Sequence, residues 1–113
     1  MATNFPMRLT TTGAVLPGAT VQAVLLIGHP MESGFRNLDS GQRVPKNVIE
    51  SIVVRLDAVN LLEARIGIGI SANPYFAFAV PLPAQMSPGG WRLTVEWLDD
   101  KGQRGATERM LMV

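Results

Sequence analysis

The chain has 113 residues, 47% of them hydrophobic and 17% charged, with a net charge of +1. That is length for one domain, 1–113, with a proper core, and too weak a field to draw it to nucleic acid or an anionic membrane. Cysteine is absent, which excludes disulfides, thiolate catalysis and cysteine-type zinc sites together.

In chain order, 8–12 reads as a short edge strand and Pro17-Gly18 as a turn. Residues 20–27 form a strong strand, with Val21, Ala23, Leu25 and Ile27 on one face and Gln22, Val24 and Leu26 on the other. The stretch from 28 to 47 has neither helical nor strand periodicity and is punctuated by Pro30, Gly34, Gly41 and Pro45. A connection of roughly twenty residues is usually functional or disordered. Met31, Phe35, Leu38 and Val44 are apolar anchors that argue against disorder. The same stretch holds the one histidine, His29, and the cations Arg36, Arg43 and Lys46 beside Glu32 and Asp39. Those cations read either as a solvated loop held by surface ion pairs or as a rim that receives an anionic group or a partner's acidic tail.

Strand pattern resumes at 49–56, where Ile52, Val54 and Leu56 face inward. A hairpin connection over 57–60 leads to a return strand at 62–70, with Leu62, Ala64, Ile66, Ile68 and Ile70 alternating inward. Gly67 and Gly69 leave its other face bare, which marks a bulge or sheet corner, or the close approach of another backbone. Residues 75–82 place Phe76, Phe78, Val80 and Leu82 against Tyr75, Ala77 and Ala79. After a loop rich in proline and glycine, 91–98 aligns Trp91, Leu93, Val95 and Trp97 as core; Asp99-Asp100-Lys101-Gly102 is a turn, and 106–113 is the last strand. About seven strands, regular turns and no helix predict an all-β fold, an immunoglobulin-like antiparallel β-sandwich of two sheets.

Reactive constellations are scarce. A Ser-His-Asp arrangement has His29 but no nucleophile elbow, and Asp99-Asp100 lacks the alternating oxygens of a calcium loop. His29 and Met31 are ligand types suited to Cu(I), so a copper-handling sandwich is one alternative; a generic immunoglobulin-like binding module is another.

Three segments carry a family likeness: HPMESGFR at 29–36 with VPKNVI at 44–49, ANPYFAF at 72–78, and WLDDKG at 97–102. In order and spacing they resemble SoxZ, the cysteine-free half of the bacterial sulfur-carrier heterodimer SoxYZ. The resemblance implies an immunoglobulin-like sandwich that binds SoxY, whose arm cysteine carries covalent sulfur intermediates in thiosulfate oxidation. It implies a non-catalytic scaffold with no cofactor, working in the periplasm. A SoxZ-like chain without a signal peptide of its own is expected to travel folded with a signal-bearing partner.

Strands 21–27, 75–82 and 106–113 are apolar on both faces, which predicts a shared outer face covered by the partner. Tyr75, Ala77, Ala79, Leu111 and Val113 are the expected contacts. His29, Arg36, Arg43 and Lys46 are the expected docking residues of the long loop for other sulfur-oxidation enzymes.

Overall fold

The computed structural model describes residues 5–66, 70, 72–85 and 88–112. Seven strands run β1 (Met7–Thr12), β2 (Thr20–Ile27), β3 (Ile49–Leu56), β4 (Val59–Arg65), β5 (Tyr75–Pro81), β6 (Trp91–Asp99) and β7 (Arg104–Leu111). They form two antiparallel sheets, β1-β2-β5 and β4-β3-β6-β7. This is the expected immunoglobulin-like layout, with the fourth strand paired to β3 in the second sheet rather than in the first.

The alternation of side chains explains the two layers. Val21, Ala23, Leu25 and Ile27 of β2 meet Ile52, Val54 and Leu56 of β3 and Trp91, Leu93, Val95 and Trp97 of β6 in one core, all buried. Each valine, leucine and isoleucine of this set contributes roughly 1.5–3 kcal/mol by leaving water. Pro17-Gly18 makes the expected turn, in which Ala19 donates to the Leu16 carbonyl and Gly18 is left-handed.

The pattern misplaces the limits of two strands. β4 begins at Val59, directly after the Asp57-Ala58 turn, and ends at Arg65; an extra residue, Leu61, bulges where Val54 pairs with Leu62 and Arg55 with Asn60. Leu62 lies on the inward side but on an edge strand, so it stays exposed. Residues 67–69, with their two glycines, lie outside the described residues. β7 begins at Arg104, two residues early, because the turn at 99–102 closes tightly and Leu98 pairs with Arg104 at once. Gly105 therefore sits inside the strand, under the Trp97 indole.

Candidate functional site

The residues from 28 to 47 are a finger, not an irregular loop. Its arms are tied by reciprocal backbone bonds between Glu32 and Asn47 (2.7 and 2.8 Å) and by donation from Val44 to Arg36 (2.8 Å). At the tip Leu38 donates to Gln42, Gly41 donates back to Leu38, and Gly41 is left-handed: a type I turn closed by a glycine bulge. Every residue from 35 to 43 is exposed. The molecule measures 58 Å along its long axis, whereas eight-residue strands account for roughly 26 Å. Its radius of gyration is 16.5 Å, against about 13 Å for a compact chain of this length.

The finger's base is buried and fully bonded. Asp99, 1% exposed, accepts from His29 Nε2 (3.1 Å), Asn47 Nδ2 (3.0 Å) and Gln103 Nε2 (3.1 Å) on one oxygen, and from the Lys101 and Gln103 backbone on the other. His29 is wholly buried and its Nδ1 accepts the Met31 N–H at 3.0 Å, so the ring carries its proton on Nε2. Phe5 and Trp97 pack about the imidazole, with Trp97 edge-on. Asn47 and the Val48 N–H also bond Asp100. Met31 turns the chain with a left-handed φ of 49°, a conformation held by its N–H bond to His29 and by the Ile49 N–H on its sulfur. Burial pushes the Asp99 carboxyl up, and bonds from Asn47, His29, Gln103 and Lys101 more than offset this, leaving it below its ordinary range. No buried side-chain nitrogen or oxygen among the described residues lacks a partner.

Several expectations for this stretch need correction. His29 is no surface docking residue, because it belongs to the core network. The copper alternative loses its imidazole, since both ring nitrogens are engaged. Histidine does meet an aspartate, but with Nδ1 on Met31 and Nε2 on Asp99 no nitrogen is free for a serine. Met31 is an anchor and Val44 is half-buried, whereas Phe35 and Leu38 are exposed at 69% and 46%. Arg36 is paired with Glu32 at 2.6 Å, which lowers the carboxyl and raises the guanidinium. Arg43 and Lys46 are exposed and make no ion pair among the described residues.

The two sheets present unlike outer faces. Across β1-β2-β5 the rows are Arg8–Leu26–Tyr75, Thr10–Val24–Ala77 and Thr12–Gln22–Ala79. Arg8 is the one charge in these rows. Across the other sheet stand Arg55, Glu63, Arg65, Arg92, Glu96, Arg104 and Glu108, with ion pairs Arg55–Glu96 (3.3 Å) and Arg92–Glu108 (3.7 Å). Tyr75, Ala77 and Ala79 thus share an exposed, nearly uncharged face with Val24 and Leu26. Leu111 does not join them: it is 2% exposed, in the core, while Met110 and Met112 point outward. β7 also belongs to the opposite sheet, so the three doubly apolar strands share no single face. Val113 lies outside the described residues.

Fold and surfaces together define an immunoglobulin-like sandwich with one nearly uncharged sheet face and one anchored finger. The chain belongs to the SoxZ family: the model of "Sulphur oxidation protein SoxZ" matches residues 7–109. This supports a role in the Sox sulfur-oxidation system. A search of curated proteins found no match. Among solved structures, a superoxide reductase (neelaredoxin) from Ignicoccus hospitalis has a TM-score of 0.67 at 15% identity, over 95% of this chain and 79% of its own. A point variant of that protein gives the same score and identity over 78% of its chain. At such identity the likeness concerns the fold alone.

Proposed function

We propose that the chain is the non-catalytic scaffold subunit of a SoxYZ-type sulfur carrier in thiosulfate oxidation. It binds a SoxY-like subunit whose arm cysteine carries the sulfur. Family membership supports the system, and the cysteine-free sequence leaves the covalent step to the partner's thiolate. The reading carries with it a periplasmic location.

One observation carries the choice of interface: the contrast between the two outer faces. Burying the ion-paired face would desolvate many charges, whereas the β1-β2-β5 face offers Leu26, Val24, Tyr75, Ala77 and Ala79 with one arginine at a corner. Three strands of this length give a footprint of roughly 350–400 Å². A standard complex buries about 800 Å² on each side, so the contact extends past the sheet onto flanking segments.

The test is Ala77→Glu, with Thr94→Glu on the opposite face as control. An unpaired charge buried at Ala77 costs roughly 3–5 kcal/mol, and co-purification with the SoxY-like subunit should be lost while circular dichroism stays unchanged. Thr94→Glu should leave the complex intact. Full stoichiometry with Ala77→Glu would exclude this face.

A further inference from the structure

The finger tip combines features that its own chain does not use. Phe35 and Leu38 are large apolar side chains in water, on an arm that projects beyond the sandwich. Arg43 and Lys46 are exposed on the returning arm without ion pairs among the described residues, while Arg36 is already neutralised by Glu32; with Asp39 exposed at the turn, the finger carries a net charge of +1. The base is rigid: the Asp99 network and the reciprocal Glu32–Asn47 bonds fix both arms where they leave the core. A preorganised arm loses little freedom on docking, which is what makes a projecting aromatic an effective anchor.

We infer that the finger docks into a second protein partner, through an apolar pocket that takes Phe35 and Leu38 and is rimmed by carboxylates facing Arg43 and Lys46. Charge sets the chemistry of that rim, because two cations released from pairing select an acidic surface and steer encounter with it. The partner is distinct from the subunit on the sheet face, since the sheet face is nearly uncharged and the finger is cationic with an apolar tip. An anionic membrane is the other surface such a tip suits. Each cation near such a membrane adds little to binding, and two of them with two apolar side chains give marginal binding. A protein pocket uses the same four residues better.

This inference rests on the reading that the sheet face holds the SoxY-like subunit, and the experiment separates the two. A photo-crosslinking phenylalanine analogue replaces Phe35 in one strain of the native host and Ala77 in another, both cultured on thiosulfate. Adducts are identified by mass spectrometry. The substitution at Ala77 should capture the SoxY-like subunit, and that at Phe35 a different protein, at a peptide bearing Asp or Glu. Adding Arg43→Glu and Lys46→Glu should cut the Phe35 adduct about tenfold, and raising salt to 0.5 M in extracts should weaken it as exposed charges are screened. The Ala77 adduct should survive both. Loss of the Ala77 adduct alone counts against the sheet-face reading. The finger proposal is overturned by no protein adduct at Phe35, by capture of the same subunit as at Ala77, or by an adduct indifferent to charge reversal. Phosphatidylglycerol vesicles that sediment the wild-type complex but not the charge-reversed one would overturn it in favour of a membrane.

Discussion

Replacing Asp99 by asparagine tests how the finger is held. Oδ2 accepts from His29, Asn47 and the Gln103 side chain, and Oδ1 from the backbone of Lys101 and Gln103. Asparagine offers one acceptor oxygen and turns the other position into a donor. With the oxygen kept on the turn, the new NH2 group faces three donors. Gln103 is half-buried and can turn to water, but His29 and Asn47 are 0% and 6% exposed and cannot. Nor can His29 shift its proton to Nδ1, which receives the Met31 N–H. Two buried N–H groups then lack partners, that of His29 Nε2 and one of the two on Asn47 Nδ2, whose other stays on Asp100; at about 1–3 kcal/mol each, Asp99→Asn should lose about 2–6 kcal/mol. That is a large share of the roughly 5–15 kcal/mol that holds a domain. Trp97, with its ring 5.5 Å from His29, makes tryptophan fluorescence in urea the natural assay. A loss below about 0.5 kcal/mol, the range of an ordinary surface change, would refute the buttress. Acidity gives a second readout. A carboxyl depressed in the folded state contributes stability that is present above its unfolded pKa, near 3.9, and lost as pH falls through the folded value. Wild-type stability should therefore decline in acid below about pH 4, and the Asp99→Asn chain should lack that share of the slope.

Gly105→Ala should destabilise by about 1–3 kcal/mol through overpacking, because the added Cβ would stand 2.7 Å from Cε2 of Trp97; an unchanged urea midpoint would mean that the indole moves aside freely. The intact mass of the chain should not change after incubation with thiosulfate and its host's sulfur-oxidising enzymes, since no thiol is present to carry sulfur. A reproducible sulfur adduct would end the scaffold reading.

Period-two alternation located the core because each inward series on β2, β3 and β6 is unbroken, and those strands match their expected limits within a residue. It failed where geometry depends on partners: β4 is an edge strand with a bulge, and Gly105 is defined by the indole above it. The site was half legible. His29 continues the inward series of Val21, Ala23, Leu25 and Ile27, and Asp99 continues that of Trp91, Leu93, Val95 and Trp97. Two polar residues at inward positions at the same end of facing strands must find partners, a signal that the reading of His29 as a docking residue and Asp99 as a turn residue passes over. Phe35 and Leu38 carried no such signal. Apolar residues in a long connection pack inward or project, and only the hydrogen-bonded arms decide which.

A histidine within reach of a buried aspartate is where a search for a general base would stop. Catalysis needs one ring nitrogen turned to a reacting proton, with the carboxylate orienting the other. Here the carboxylate takes Nε2 and a backbone N–H takes Nδ1, in a site wholly closed to solvent. The same five-donor arrangement that would orient a catalytic ring instead fixes two chain segments, one entering the finger and one leaving it. Its free energy goes into position, and what it positions is the pair of arms that carry Phe35, Leu38, Arg43 and Lys46 away from the sandwich. In the scaffold role proposed for this chain, where these atoms stand is its contribution.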